Sequence, residues 1–299
     1  MGLPCSIRDL IPQKGKMGFD QMLIGAGAGD GQSTAIINAD HLFLEDGRQL
    51  SNIALIEYIN QLIAGIQGYK ESAGQIPARR GLFVGLQDAE FLRPVQAGDS
   101  LTFKRIVTEE IAQVNFVQGT VERAGEKIAE LVTKIYEVKD LSEFDSLTKH
   151  EPASPENRAI APLRDEAPPA CLASNLRRKL YTYLRGIEID KDSISFHLAC
   201  PDDFDGFDGH FPGHPILPGV ILLEIAKLGL ELAWRKPVFI RRIRKMKISG
   251  VVFPNQIISC NLKIDHCHGS PSAFAAGFKN GDVRDIANFS GSYEEGSDP

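Results

Sequence analysis

Two long apolar helices constrain what this chain can become. Residues 51–74, with the core string IALIEYINQLIAGIQGYK, and residues 218–234 each read as a helix that is apolar over most of its surface. Such a helix has to be buried. Each lies among segments that read as strands, so the simplest burial is one helix inside one curved sheet. Ser51 is placed as the N-cap of the first helix and Gly74 as its C-cap.

Strands are predicted at 22–24, 34–37, 82–91, 100–108, 113–122 and 128–138, and then at 240–248, 257–264, 273–278 and 286–293. One helix followed by four antiparallel strands thus occurs twice, which points to two copies of one unit. Between them, residues 139–176 are rich in Pro, Ser and charge and lack periodicity, as a linker does. The expected division is a first module at 1–139, a linker at 140–176 and a second module at 177–299. A chain of 299 residues with 43% hydrophobic content suits two domains of ordinary size, of α+β class.

The net charge of -6 and pI near 5.7 argue against a nucleic-acid partner. No apolar run reaches the roughly 18 residues a membrane helix needs, and no charged-then-apolar leader precedes Ile7. A cytoplasmic location without membrane attachment is the expectation; Met1-Gly2 followed by Ser6 fits the myristoylation pattern only loosely. The five cysteines, irregularly spaced, read as reduced thiols rather than a disulfide framework or zinc site.

The chemistry concentrates in His210-Phe211-Pro212-Gly213-His214-Pro215-Ile216-Leu217-Pro218-Gly219-Val220 and the helix that follows to Glu224. Pro212, Pro215 and Pro218 stiffen the loop, and Pro218 suits the first turn of a helix. The first N–H groups of that helix, on Gly219 and Val220, have no intrahelical acceptor and are placed to hold an oxygen near His210.

This string resembles the signature of the FabZ-type (and FabA-like) 3-hydroxyacyl-acyl-carrier-protein dehydratases, which have the hot-dog fold. In that family the His is the base, the Gly at the helix start donates to the oxyanion, and a Glu fourteen residues after the His acts from the helix. His210, Gly219 and Glu224 stand at those spacings. Segment 10–17 (LIPQKGKM) resembles the opening of these enzymes, and 92–101 (LRPVQAGDSL) resembles their strand-turn-strand after the helix, with 250–257 in its place in the second module. The resemblance implies a double hot dog: two modules, each a long central helix wrapped by a curved antiparallel sheet, packed as an intramolecular pseudo-dimer and compatible with further homo-oligomers.

The halves are unequal. Aligning Phe43 with Phe207 leaves Asp46 where His210 stands, so the first module lacks the base. His41 falls on the other side of Phe43 and reads as a loop or strand-edge histidine. The first module keeps the family's Glu-x-x-x-Gln pair as Glu57 and Gln61, whereas Glu224 is followed at that offset by Leu228. The family's site lies between two hot dogs, the His from one and the acid from the other, which implies His210 working with Glu57 and one site per chain. The opposite interface, Glu224 facing the region of Asp46, is expected to be vestigial; for Glu224 itself, catalytic acid and buried structural acid both stay open. Gln61, Phe207, Gly209, Pro218 and Val220 are expected around the substrate. The layout also resembles the two-component dehydratases of aryl-polyene and related polyketide clusters, here fused.

The implied reaction removes water from a 3-hydroxyacyl thioester to give a trans-2-enoyl thioester, with no cofactor. A neutral imidazole, of ordinary pKa about 6.5, takes the C2 proton; the Gly219 N–H holds the enolate oxygen; a desolvated carboxylic acid protonates the hydroxyl. The implied partner is an acyl carrier protein bearing the substrate on phosphopantetheine. For it, Arg241, Arg242, Arg244 and Lys245, with Lys247, offer a basic rim, the plainer reading being a solvated face. A hot-dog thioesterase and a noncatalytic carrier-binding subunit are the alternatives.

Other features have plainer readings. His214 is taken as loop structure, the acidic run Asp202, Asp203, Asp205 and Asp208 as a solvated turn, and residues 26–31 as a turn without a phosphate-loop ending. His266, Cys267 and His268 supply three side chains at strand-end spacing, which carries little weight for a metal. Acyl-chain length would depend on which of Ile53, Ile56, Leu223 and Trp234 face the ligand.

Overall fold

The computed structural model describes residues 2–138, 141–148, 166–211, 213–265, 272–280 and 284–296. The first module contains β1 (Cys5–Ser6), β2 (Met22–Ala26), β3 (Asp30–Ile36), β4 (Leu44–Glu45), β5 (Gln49–Leu50), α1 (Ala54–Ser72), β6 (Arg80–Phe91), β7 (Val95–Gln96), β8 (Ser100–Ile111), β9 (Val114–Arg123) and β10 (Glu126–Val138). Then come α2 (Leu141–Thr148) and α3 (Asn175–Thr182). The second module continues with β11 (Leu184–Ile189), β12 (Ser193–Leu198), α4 (Gly219–Trp234), β13 (Val238–Ile248), β14 (Ile258–Asp265), β15 (Ser272–Asn280) and β16 (Arg284–Glu295).

The strands form one thirteen-stranded sheet in the order β1-β2-β3-β8-β9-β10-β6-β13-β16-β15-β14-β12-β11, with β4, β5 and β7 in a small sheet of their own. Read outward from its centre, each half repeats one scheme. The strand after the helix comes first (β6 or β13), then the last, third and second strands of the meander, then the hairpin that precedes the helix. This is the double hot dog anticipated from the sequence. The halves join where β6 and β13 pair antiparallel, Ile243 opposite Ala89 and Met246 opposite Leu86. In β13, Val238, Ile240, Ile243 and Met246 are buried while Arg244, Lys245 and Lys247 are exposed; the period-two alternation is stepped to three residues at two register shifts, Ile240/Arg242 and Arg244/Lys247.

Both helices are as buried as their sequences demand. From α1, Leu55, Ile56, Ile59 and Leu62 are fully covered, and from α4, Val220, Ile221, Ile225, Leu228 and Leu230. Each such side chain contributes about 1.5–3 kcal/mol on leaving water. One apolar cluster runs through both modules.

Three differences from the sequence reading bear on function. Ser51 does not cap α1: the chain makes a tight turn from Ser51 to Ile56 before the helix settles, and the Ser51 hydroxyl crosses to Glu224 of the other module at 2.5 Å. The stretch read as linker contains two helices. α2 packs Phe144 against Phe211 and His214, at ring-centroid distances of 5.0 and 5.9 Å, and α3 spans the expected boundary at 176/177 with Leu176, Arg177 and Leu180 buried. The hairpin β11–β12 was also missed, its alternation being short and broken by charges. Residues 149–165, Pro212 and the His266, Cys267 and His268 cluster lie outside the described residues. Among the described residues no helix is long and apolar enough to cross a membrane.

Candidate active site

The turn carrying His210 is built on the first module. Lys14 N–H donates to the Gly209 carbonyl at 2.9 Å, Met17 N–H to the Asp208 carbonyl at 3.2 Å, and Lys16 N–H to the Asp208 carboxylate at 3.0 Å. Asp205 pairs with the Lys16 ammonium at 2.9 Å. The acidic run is therefore not only a solvated turn: two of its four members dock one module on the other, because segment 10–17 presents backbone N–H groups and a lysine to them. Gly209 has φ +78°, and a Cβ there would lie 1.9 Å from the Lys14 carbonyl oxygen, so only glycine fits.

His210 Nδ1 lies 2.9 Å from the Ile216 carbonyl oxygen. A carbonyl can only accept, so Nδ1 carries the hydrogen and Nε2 keeps its lone pair. Burial lowers the imidazole pKa to about 4, the bond to Ile216 opposing only in part. The ring is thus neutral at cellular pH and its basic nitrogen is not consumed by the bond that orients it.

Glu57 comes from the first turn of α1 and is 5% exposed. Burial raises its pKa to about 7, against the pull of Gln61 and Asn60. Gln61, one turn along, donates from Nε2 to Glu57 at 2.8 Å and to the Met17 carbonyl at 2.6 Å, while its own carbonyl accepts from Phe19 N–H at 2.9 Å. Every atom of that amide is committed, and the carboxyl is held accordingly.

His210, Glu57 and Gly219 line one cavity of about 880 Å³, with Gln13, Asn60, Ile63, Phe83, Ile216, Leu222 and Phe253 among its walls. Gly219 opens α4, and a Cβ on it would come within 2.8 Å of Phe83 and 2.6 Å of Ile248. The helix start can approach the cavity only because that side chain is missing. One wall residue, Ser146, belongs to α2, so the presumed linker helps to close the site.

Glu224 is elsewhere. Fully buried, it takes the Arg177 guanidinium at 2.6 Å and the Ser51 hydroxyl, and Arg177 also binds Glu231 at 2.7 Å and Glu45 at 2.9 Å. Lys227 completes the group on Glu45 at 2.5 Å. Burial pushes Glu45 up, and Lys227 and Arg177 more than reverse it; Glu231 is lifted to about 7 by burial in spite of Arg177. Three carboxylates face two cations, so one proton on Glu231 brings the cluster to neutrality.

The comparisons follow this division. The model of the ApeP dehydratase family (ApeP-like) matches residues 5–146, and that of the ApeI dehydratase family (ApeI-like) matches residues 186–288. The chain is an ApeP-like and an ApeI-like dehydratase domain in tandem. The FabZ 3-hydroxyacyl-[acyl-carrier-protein] dehydratase of Wolbachia pipientis wMel is 39% identical over 66 residues, 19% of this chain and 46% of that protein. The chain thus spans about half the length of the curated relatives it matches. The fold is shared with the dehydratase domain of RzxB from Pseudomonas fluorescens (TM-score 0.55, 12% identity, 95% of this chain and 99% of that one). It is shared equally with a putative oleoyl thioesterase from Lactobacillus plantarum (TM-score 0.60, 10% identity, 92% and 99%).

The cavity therefore takes its acid from the ApeP-like domain and its imidazole from the ApeI-like domain. Among the other residues singled out in sequence, Gln61 holds Glu57, while Phe207, Gly209, Pro218 and Val220 shape the loop and helix start without lining the cavity. Ile53, Ile56, Leu223 and Trp234 are likewise absent from its walls. His41 packs in an aromatic group with Phe19, Phe43 and Tyr58, and burial lowers its pKa to about 4. The three arginines of the basic run have carboxylate partners: Arg242 makes a two-pronged bond to Asp88 of β6, both at 2.7 Å, Arg244 lies 3.9 Å from the same carboxylate, and Arg241 pairs with Glu294. Sequence reasoning missed Arg177, which sat at the edge of the presumed linker, and Asn60, which no motif flagged; Gln13 lay within segment 10–17 but was given no role of its own.

Proposed function

We propose that this chain dehydrates 3-hydroxyacyl thioesters carried on an acyl carrier protein, giving trans-2-enoyl thioesters, with His210 as base, Glu57 as acid and the Gly219 N–H as oxyanion donor. The observation that carries this reading is the pairing, in one cavity, of an imidazole kept neutral with a carboxyl kept protonated. Two titratable groups whose surroundings push their pKa values past one another have divided the acid and base roles. Nε2 of His210 takes the C2 proton, negative charge grows on the thioester oxygen near the start of α4, and the C3–O bond breaks as Glu57 gives its proton to the oxygen. Water leaves; the proton returns from imidazolium to carboxylate through solvent. A neutral imidazole beside an acid could also activate a water for thioester hydrolysis, so the product, enoyl thioester or free thiol, is what separates the two reactions.

The carrier protein, being acidic, would meet the exposed Lys245 and Lys247 together with Arg244, whose side chain is 58% exposed and lies 3.9 Å from Asp88, rather than Arg241 and Arg242, whose guanidinium groups are closely bound to carboxylates. The test is to incubate the full chain with a 3-hydroxybutyryl carrier protein and follow the enoyl product and free thiol together. Enoyl without thiol is expected; thiol release would overturn the reading in favour of hydrolysis, and binding without turnover in favour of a carrier-binding subunit.

A further inference from the structure

The cavity wall contains a polar group, Gln13, to which the proposed elimination assigns no role. Gln13 is 8% exposed, lines the cavity with His210 and Glu57, and its Oε1 is buried without a hydrogen-bond partner among the described residues. An unpaired buried acceptor is costly, and an apolar side chain of the same length would avoid the cost. Its position is fixed from both sides: Lys14, the next residue, is bonded to Gly209 beside the base, and Met17 holds Gln61, which holds the acid. The segment carrying Gln13 thus touches both halves of the machinery.

We propose that Gln13 orients the substrate's C3 hydroxyl by accepting its hydrogen, an inference that rests on the dehydratase reading. A secondary hydroxyl is the group on the substrate that must both give and receive a hydrogen bond at the reacting centre. With its own hydrogen on the Gln13 carboxamide, the oxygen turns a lone pair to Glu57. As the C3–O bond breaks, that oxygen keeps its original hydrogen, gains the Glu57 proton and departs as water, while the electron pair of the C2–H bond becomes the second C2–C3 bond. The carboxamide takes no proton and needs no co-reactant. It is a substrate-orienting residue, and it favours a hydroxylated chain over a saturated one before any bond breaks.

The experiment compares 3-hydroxybutyryl-pantetheine with butyryl-pantetheine in the full chain. Affinities are measured in a His210→Ala background that prevents turnover, with Gln13→Met as the shape-conserving variant and Gln13→Leu as a second in case the first does not fold. The expected result is that the preference for the hydroxylated thioester falls about tenfold, the equivalent of one hydrogen bond, while butyryl-pantetheine binds as before. In the otherwise wild-type chain, Gln13→Met should lower kcat more than it raises KM. An unchanged preference in both variants, in a chain whose parent is an active dehydratase, overturns the role of Gln13 alone; an inactive parent removes the dehydratase reading and this inference with it.

Discussion

Glu57 and Glu224 occupy corresponding places on two copies of one helix, each facing the other domain, and they have opposite surroundings. Glu57 lines a cavity together with an imidazole, and its neighbours Gln61 and Asn60 are uncharged amides whose pull burial outweighs, so it keeps its proton to about pH 7. Glu224 faces Arg177 of α3, with Lys227, Glu45 and Glu231 around it. Both places hold a glutamate, and what differs is its neighbours. Glu224 is one member of a buried ionic cluster around Arg177, whereas Glu57, held by Gln61, lines a cavity together with His210. The difference between the two places is that one opens on a cavity and the other is packed with charge.

The comparison is broken most directly by removing the two acids in turn. His210→Ala and Glu57→Gln are each expected to lower kcat/KM by about 10²- to 10⁴-fold, the ordinary contribution of a positioned base or acid. Glu224→Gln is expected to leave turnover per folded molecule nearly intact. Steady-state rates with circular dichroism on each variant check this, and an inactive but folded Glu224→Gln alongside an active Glu57→Gln would reverse the assignment.

Arg177→Met tests the filled site. Removing one partner of a buried ionic group leaves its carboxylates uncompensated, at a cost of about 3–5 kcal/mol, so the urea midpoint should drop sharply while the folded fraction keeps its activity. A loss below about 1 kcal/mol would mean that the cluster is already screened by solvent and that the second site is more open than its burial implies.

What the sequence disclosed follows the physical reach of each signal. The two apolar helices and the long strands were legible because burial leaves a period in the residues themselves, and the His210 turn because prolines and glycines at fixed spacing admit few backbones. The cross-domain pairing of His210 with Glu57 came from the family resemblance, since no local pattern says which of two equivalent acids faces an imidazole 153 positions away. Arg177 could not be read at all: its three carboxylate partners lie 132, 47 and 54 residues from it. α2 was hidden for a related reason, its surroundings being polar and its attachment resting on few apolar side chains such as Phe144.

The open site should also differ from the filled one in how pH governs it. His210 is a base only when neutral, above about pH 4, and Glu57 is an acid only when protonated, below about pH 7. kcat/KM is therefore expected to plateau between these values and fall about tenfold per unit on the alkaline side. The same shift has a sign in stability: Glu57 binds its proton more tightly folded than unfolded, so its contribution is present below about 4.5 and is lost as pH rises through about 7. Glu57→Gln should flatten that part of the stability profile while leaving the contribution of Glu231, which falls in the same direction. A profile of rate against pH with no alkaline limb would mean that Glu57 is not the proton donor.

The smallest effect is expected where the domains meet in the open. Arg242 and Asp88 make a two-pronged bond across the β6–β13 junction, with the same chemistry as Arg177 and its carboxylates, but about a third of each side chain is exposed, 34% and 33%. Solvent supplies most of what the partner supplies, so Asp88→Asn should cost only about 0.2–1 kcal/mol, and the loss should shrink in molar salt as the Debye length contracts to about 3 Å. The backbone ladder and the buried Ile243, Ala89, Met246 and Leu86 hold the junction without it. Urea melts of Asp88→Asn at low and high salt measure this directly against Arg177→Met. If the exposed pair proved as costly to break as the buried cluster, burial would not be what separates them, and the filled second site would have to be explained by its geometry rather than by its dryness.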